Sequence, residues 1–291
     1  MLIPLPLLLS LTALLGLTQP PPAAPPAIKP PAPTSHHLTW TIDGIQREAI
    51  IFTPPTAATA ATPVIFAFHG HGGTAKYSAA KFNYQKHWPD AISVYMQGLP
   101  TPGALTDPEG KRNGWQKSVG DQGDRDLKFF DAVLASLHKD YKPDDSRVYA
   151  TGHSNGGGFT YLLWAARADI FAAVAPAAAG VRSAASLKPK PAMVIGGEQD
   201  ELVPFAFQNR TMEAVRKLNG CDAEPTDWAK NCLLYNSKSG TPFVSMIYPG
   251  GHTFPDEAPA LIVRFFKDNP MKPATAKAPA ASPTIPVPPI P

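Results

Sequence analysis

Two short stretches near the start of the chain have the character of β-strands. Residues 38–42 alternate between apolar and polar side chains, and residues 47–52 are rich in isoleucine and phenylalanine. Such patterns are typical of strands that have one buried face. The stretches flank Asp43-Gly44, a pair that favours the tight turn of a hairpin. The pattern therefore predicts an antiparallel pair of strands.

Beyond this pair, short apolar runs alternate with longer segments of helical period. In residues 124–141 apolar side chains recur every three or four positions, which predicts a helix with one face in the core. The predicted strands are 63–68, 91–95, 147–151, 171–176, 191–195 and 244–248, and the predicted helices are 124–141, 156–167, 205–218 and 257–268. This alternation predicts an α/β fold: a mostly parallel central sheet with helices on both faces. Its active site should lie at the C-terminal ends of the parallel strands.

The most informative motif, Gly152-His153-Ser154-Asn155-Gly156, stands between a predicted strand and a predicted helix. It is a G-x-S-x-G sequence in the setting that exposes a serine at the top of a sheet. The amides at the start of the helix favour the negative charge that develops during acyl transfer. The motif predicts that Ser154 is a nucleophile. The alternative is a structural glycine-rich turn.

A serine nucleophile needs a general base, which in turn needs a carboxylate to orient it, in the chain order Ser, Asp or Glu, His. The candidate base is His252, which follows the predicted strand at 244–248. The candidate carboxylates follow the strand at 191–195 and are Glu198, Asp200 and Glu201. Each of these residues is also common in ordinary surface loops, but their order and their positions at strand ends favour a triad.

A second glycine-rich loop, His69-Gly70-His71-Gly72-Gly73, follows the strand at 63–68. Glycines let backbone amides approach a substrate carbonyl, so this loop predicts one side of an oxyanion hole and the amide of Asn155 the other. His69 is expected to brace the loop. The two histidines raise the alternative of a metal site, but no further His or Cys cluster has zinc-ligand spacing. We expect neither a metal nor an organic cofactor.

These motifs resemble those of the secreted α/β-hydrolase family of polyhydroxybutyrate depolymerases, feruloyl esterases and acetyl xylan esterases. The resemblance covers about residues 38–270 and rests on segments at 96–99, 113–116, 126–130, 152–157, 171–176, 200–204 and 250–255. It implies an α/β-hydrolase fold with Ser154 as nucleophile, Asp200 as acid and His252 as base. It also implies that the amides of His71 and Asn155 form the oxyanion hole.

One departure from the family pattern concerns the acid. The family usually has H-G-T-x-D at this point, whereas this chain has Gly196-Gly-Glu-Gln-Asp200. Glu198 and Glu201 therefore stay open as alternatives to Asp200.

The predicted activity is hydrolysis of a polymeric or aromatic carboxylic ester. The resemblance favours feruloyl or acetyl esters of plant polysaccharides, or polyesters such as polyhydroxybutyrate. Trp115, and less directly Tyr77 or Phe254, could form an aromatic wall that binds substrate beside the site. Two alternatives remain: a serine peptidase of the prolyl-oligopeptidase type, and a non-catalytic binding protein on the same scaffold.

Composition and charge exclude some classes of partner. The formal net charge is only +3, 17% of residues are charged, and no basic stripe interleaved with aromatics occurs. Nucleic acid is therefore not expected as a partner. Residues 38–270 have the length of one α/β catalytic domain, which we expect to be a monomer.

The two ends of the chain differ from this domain. Residues 1–19 contain an uncharged leucine-rich run with two prolines, which resembles a secretory signal more than a membrane span. We therefore expect no stable membrane span and a secreted or periplasmic location. Residues 20–37 are predicted to be a Pro-rich disordered spacer, and residues 271–291 a Pro/Ala-rich disordered tail.

The chain has two cysteines, Cys221 and Cys232. An even pair in an exported chain favours one disulfide. It would close a short loop between the acid and base strands and contribute about 2 to 3 kcal/mol of stability. The alternative is a pair of buried free thiols.

Overall fold

Strands and helices alternate through residues 31–271, the part of the chain that the computed structural model describes. The strands are β1 (Thr34–Ile42), β2 (Ile45–Thr53), β3 (Thr62–Phe68), β4 (Ile92–Met96), β5 (Leu99–Pro100), β6 (Asn113–Gly114), β7 (Pro143–His153), β8 (Ala173–Ala177), β9 (Ala192–Gly197), β10 (Thr226–Ala229), β11 (Cys232–Tyr235) and β12 (Phe243–Tyr248). The helices are α1 (Ala75–Phe82), α2 (Tyr84–His87), α3 (Arg125–Asp140), α4 (Asn155–Ala166), α5 (Phe205–Leu218) and α6 (Ala258–Asp268). The predicted signal at 1–19, most of the spacer and the tail from 272 onward lie outside the described residues.

Ten of the strands form one sheet in the order β1-β2-β4-β3-β7-β8-β9-β12-β11-β10. The six central strands, from β4 to β12, are parallel, whereas β1 and β2 at one edge and β11 and β10 at the other are antiparallel. This mostly parallel sheet with an antiparallel N-terminal hairpin confirms the predicted α/β-hydrolase class.

The N-terminal hairpin forms as predicted but begins earlier. Asp43 and Gly44 occupy the turn with φ values of 48° and 79°, which a tight two-residue hairpin requires. The β1 strand begins at Thr34, which pairs with Thr53 at the far end of β2. Residues 34–37 therefore belong to the sheet, and their assignment to a disordered spacer was wrong. All nine residues of β1 pair with β2, from Thr34 opposite Thr53 to Ile42 opposite Ile45.

Two hydrophobic layers cover the two faces of the sheet. On one face α3, α4 and α5 bury aromatic and aliphatic side chains against the strands, and on the other face α1, α2 and α6 do the same. The strands β3, β4 and β8 are buried throughout, as expected of parallel strands that are covered on both sides. Within residues 31–271, no helix is long and apolar enough to cross a membrane.

The order of the parallel strands fixes where a site can form. The chain passes from β3 to β4 on one side and then returns to place β7 on the other side of β3. At such a reversal the loops at the carboxyl ends of neighbouring strands diverge and leave a crevice. The loop 69–74 follows β3, and Ser154 follows β7, so both flank this crevice.

The two cysteines are free, and the predicted disulfide was wrong. Cys221 pairs with Ser237 in an isolated bridge, whereas Cys232 begins β11, five residues earlier on that same extended segment. Five extended residues span roughly 16 Å, but a disulfide requires α-carbons about 4.4 to 6.8 Å apart. The thiols also pack against opposite faces of the sheet. The alternative of two free thiols is the one found.

Candidate active site

Ser154 occupies a sharp turn between the end of β7 and the start of α4. Its φ of 56° and ψ of −121° are a conformation that residues other than glycine rarely adopt. The flanking glycines allow the turn to pack closely. A Cβ on Gly152 would lie 2.4 Å from the carbonyl oxygen of Gly156, and a Cβ on Gly156 would lie 2.2 Å from that of Phe68. The motif therefore needs glycine at both positions for steric reasons.

The Ser154 hydroxyl is hydrogen-bonded to His252. Its Oγ lies 2.7 Å from His252 Nε2, and His252 Nδ1 lies 2.8 Å from Asp200 Oδ2. Because the ionised carboxylate can only accept, Nδ1 carries a proton that it donates to Asp200, and Nε2 is left to accept the serine proton. The structure thus brings together the three residues that the sequence analysis singled out, in the geometry of a base between a nucleophile and an acid.

Asp200 is the carboxylate that contacts the histidine. Its side chain is fully buried, and Oδ1 accepts the amides of Leu202 and Val203 at 3.0 and 2.8 Å. These bonds close a turn directly after β9 and orient the carboxylate. Glu198 and Glu201, the two competing carboxylates, are exposed to solvent. Of the three candidates, Asp200 is the one with the position and the partners of a triad acid.

The loops that carry the acid and the base are joined by backbone hydrogen bonds. The amides of Glu198 and Gln199 donate to the carbonyls of Tyr248 and Gly250 at 3.0 and 2.9 Å, which continues the β9–β12 pairing beyond the strands. A Cβ on Gly197 would lie 2.4 Å from the Gly250 oxygen, so this close approach requires glycine.

The side chain of Tyr248 fixes the loop that presents His252. Its hydroxyl lies 2.7 Å from the carbonyl oxygens of both Gly251 and Thr253, on either side of the histidine. Two residues beyond His252, the buried ring of Phe254 packs against Phe82 at a centroid distance of 4.4 Å. Phe254 therefore anchors the loop and does not line the site.

Two backbone amides near Ser154 are free to receive an anion. The amides of His71 and Asn155 donate to no acceptor among residues 31–271. The Asn155 amide is the first of α4, where helix amides lack an intrahelical partner and the helix dipole favours negative charge. The amide of His71 lies in the loop after β3, which packs beside the turn that carries Ser154. These are the two donors that the sequence predicts for an oxyanion hole.

His69 braces the loop after β3. Its Nδ1 donates to the carbonyl of Gly70 at 2.7 Å, and its Nε2 accepts the amide of Gly98 at 2.9 Å. Burial lowers the pKa of His69 to about 4, so the ring is neutral at physiological pH. Because both ring nitrogens are engaged, this imidazole has no free lone pair for a metal ion.

Trp115 does not form the predicted aromatic wall. Its side chain is fully buried, stacks on Phe159 and contacts Phe68 edge to face. Its Nε1 donates to the carbonyl of His69 at 2.9 Å, which accounts for the burial of an indole N–H. Trp115 therefore lies in the core beneath the loop after β3 and holds that loop through the carbonyl of His69. Of the predicted aromatic residues, Tyr77 on α1 is exposed, with 64% of its surface accessible.

Sequence reasoning did not identify Gln208. This residue lies in the first turn of α5, is fully buried, and donates through Nε2 to Asp200 Oδ2 at 2.8 Å. It also donates to the carbonyl of Val203 at 2.7 Å. Glutamine has no motif of its own here, and only its place in the first turn of the helix after the Asp200 loop could have drawn attention to it.

Comparison with known proteins finds several relatives that are named feruloyl esterase C. The probable feruloyl esterase C of Aspergillus clavatus is 30% identical to this chain over 203 residues, which are 67% of this chain and 70% of that protein. Feruloyl esterase C of Emericella nidulans is 29% identical over 198 residues, 65% of this chain and 69% of that protein. No family model matches the chain.

Solved structures share the fold. A ferulic acid esterase superposes with a TM-score of 0.60 at 16% identity over 81% of this chain and 98% of that one. The acetyl xylan esterase from Aspergillus awamori gives a TM-score of 0.61 at 16% identity over 80% and 99% of the two chains. With about two thirds of its length aligned to feruloyl esterase C proteins, this chain belongs to that esterase family and is a serine carboxylesterase.

Proposed function

We propose that the protein is a secreted carboxylesterase in which Ser154, His252 and Asp200 form the catalytic triad. The observation that carries the proposal is the continuous hydrogen-bonded chain from Asp200 through His252 to Ser154, with distances of 2.8 and 2.7 Å. A serine on a strained turn, hydrogen-bonded to an imidazole that is oriented by a buried carboxylate, is the arrangement that activates a hydroxyl.

The reaction proceeds in two steps. Ser154 Oγ attacks the ester carbonyl while His252 Nε2 takes the hydroxyl proton, and the amides of His71 and Asn155 stabilise the oxyanion. The tetrahedral intermediate collapses as His252 gives that proton to the departing alcohol, which leaves an acyl-serine. A water molecule then attacks the acyl group with His252 again as base, and the acid is released with Ser154 restored. Asp200 stabilises the imidazolium in both steps.

The proposed substrate class rests on the names of the relatives. Several are called feruloyl esterase C, and one structural neighbour is called an acetyl xylan esterase. We therefore propose feruloyl or acetyl esters of plant polysaccharides as substrates. A polyester such as polyhydroxybutyrate is the second candidate, which rests on the sequence motifs alone. Secretion is proposed from the uncharged leucine-rich run in residues 1–19.

A panel of substrates tests the proposal. Methyl ferulate, acetylated xylan, p-nitrophenyl acetate, polyhydroxybutyrate and a prolyl peptide anilide are assayed with the wild-type protein and with Ser154→Ala. We expect hydrolysis of one or both of the first two at the highest kcat/KM, and no turnover by the variant. Preference for the anilide would favour the peptidase alternative, and absence of all turnover would favour a non-catalytic binding protein.

A further inference from the structure

A three-residue segment is hydrogen-bonded to both parts of the backbone that carry the free amides, the loop after β3 and the start of α4. This segment, Asn113–Trp115, comprises β6 and the residue after it and is here called the strap. At its first residue, the carbonyl of Asn113 accepts the amide of Gly72 at 2.7 Å, directly beside His71. At its last residue, the backbone of Trp115 is bound by the side chain of Asn155. The strap therefore contacts the loop after β3 and the start of α4 at the same time.

The carboxamide of Asn155 binds both polar groups of one backbone residue. Its Oδ1 accepts the Trp115 amide at 2.7 Å, and its Nδ2 donates to the Trp115 carbonyl at 3.1 Å. This pairing fixes which end of the carboxamide is oxygen, because a backbone N–H can only donate. It copies the two-bond pairing of adjacent strands with a side chain in place of one strand. The nucleophile's neighbour is thus tied to the strap by two bonds.

Gly114, the middle residue of the strap, fits between the two candidate oxyanion residues. A Cβ at this position would lie 2.7 Å from His71 Nδ1 and 2.8 Å from Asn155 Oδ1. Both distances are shorter than a methyl group tolerates, so a methyl group here would displace the His71 imidazole and the Asn155 carboxamide. The absence of a side chain at Gly114 therefore lets both of these side chains lie against the strap.

The strap is itself held by a buried network. The amide of the next residue, Gln116, donates to Asp126 Oδ2 at 2.8 Å, and Asp126 forms a fully buried ion pair with Arg47 at 2.7 Å. The indole of Trp115 adds a bond to the carbonyl of His69 at 2.9 Å. Because Asp126, Arg47 and the Trp115 indole are all buried, these bonds hold the strap in one position relative to the loop after β3 and the start of α4.

We propose that the strap sets the separation of the two oxyanion amides, and that the Asn155 side chain is a positioning residue that locks it. This role is distinct from that of the Asn155 backbone amide, and it rests on the proposed function. Misplaced donors bind the tetrahedral intermediate less well but leave the ground-state complex unchanged. The signature is therefore a loss in kcat with KM retained.

Asn155→Ala tests the lock, because it keeps the backbone amide and removes both bonds to Trp115. With p-nitrophenyl acetate we expect kcat to fall roughly ten- to a hundred-fold, and KM to stay within about twofold. Inhibition by phenylboronic acid, which forms a tetrahedral anion on the serine, should weaken by a similar factor. A merely structural residue would lower the thermal midpoint and leave both of these quantities at their wild-type values at 25 °C.

Gly114→Ala tests the spacing and has a matched control on α4. The equivalent change at Gly158, where an added methyl group would meet no atom within 4 Å, should leave kcat and boronate affinity unchanged. Gly114→Ala should lower both as Asn155→Ala does. Asn155→Asp, which is isosteric but cannot donate to the Trp115 carbonyl, serves as the second variant if either change prevents folding, and we expect it to lose kcat as well.

The failure of this inference is distinguishable from failure of the proposed function. Folded Asn155→Ala and Gly114→Ala proteins with kcat and boronate affinity within threefold of wild type would overturn the role of the strap, provided that Ser154→Ala is inactive. An active Ser154→Ala protein would overturn the proposed function and this inference together.

Discussion

Gln208 and His252 donate to the same oxygen of Asp200. The Gln208 carboxamide and the His252 imidazole lie at 2.8 Å each from Oδ2, and two backbone amides fill the other oxygen, Oδ1. A buried carboxylate with four donors is held in one orientation. Gln208 thus completes the environment that makes Asp200 a strong partner for the histidine.

Gln208→Met should therefore impair catalysis without contacting substrate. We expect kcat to fall about tenfold with KM unchanged, because Asp200 loses one of the donors that orient it. Steady-state kinetics on the purified variant measure kcat and KM separately. The exposed Gln199 provides the control, and equal kcat values for Gln208→Met and Gln199→Met would contradict this role.

The identity of the acid is tested by comparing two carboxylates that lie two residues apart. Asp200→Asn should reduce kcat by about 10³- to 10⁴-fold, because the amide cannot hold His252 in its required tautomer and charge state. Glu198→Gln should stay near wild type, since the Glu198 side chain is exposed. Kinetics on the purified variants decide the matter, and a larger loss in Glu198→Gln would reverse the assignment.

Much of the fold followed from the sequence because the central strands are short apolar runs between helical segments. The predicted helix 205–218 coincides with α5, and the predicted hairpin turn at Asp43-Gly44 is correct. Less visible were α1 and the β10–β11 hairpin, because their residues are mixed in polarity and are ordered by contacts with distant segments. The first four residues of β1 were also missed, since their pairing with β2 buries little apolar surface.

The site could be predicted only where local backbone chemistry marks a residue. Ser154 has its glycine neighbours, and His252 and Asp200 follow apolar strands. The choice of Asp200 over Glu198 depends on burial, which a sequence does not display when both residues lie in one polar loop. The prediction for Trp115 was wrong because an indole is equally suited to the wall of a site or to a core. The contacts with Phe68 and Phe159, which place Trp115 in the core, are not visible in the sequence.

Acidification should destabilise the protein through His69. Burial lowers its pKa to about 4, whereas an unfolded histidine titrates near 6.5. The unfolded chain therefore binds this proton first as pH falls, so the stabilisation is complete above about pH 6.5 and is lost toward pH 4. From pH 7 to pH 5 this group alone should remove about 2 kcal/mol.

Urea unfolding at pH 7 and pH 5 measures this effect. His69→Gln, which removes the titrating group, should be less stable than wild type at pH 7 but should lose less stability between the two values. If the variant and the wild-type protein lose the same free energy of unfolding between pH 7 and pH 5, His69 is not the group responsible.

The thiols of Cys221 and Cys232 should both be free. Burial raises the pKa of each, that of Cys232 to about 11, so the thiolate that reacts with disulfide reagents is scarce in the native protein. We expect slow reaction with a chromogenic disulfide at pH 8 and rapid titration of two thiols after unfolding without reductant. Dithiothreitol should leave the thermal midpoint unchanged. Fewer than two thiols in the unfolded, unreduced protein would indicate an oxidised pair.

Covalent labelling of the nucleophile tests the central claim most directly. A fluorophosphonate reacts with an activated serine and remains attached, so peptide mass spectrometry identifies the residue and intact mass gives the stoichiometry. We expect one label per chain, on Ser154, in proportion to the loss of esterase activity, and neither label nor activity in Ser154→Ala. A label on another residue, or more than about a tenth of wild-type activity in Ser154→Ala, would contradict the assignment of Ser154 as the nucleophile.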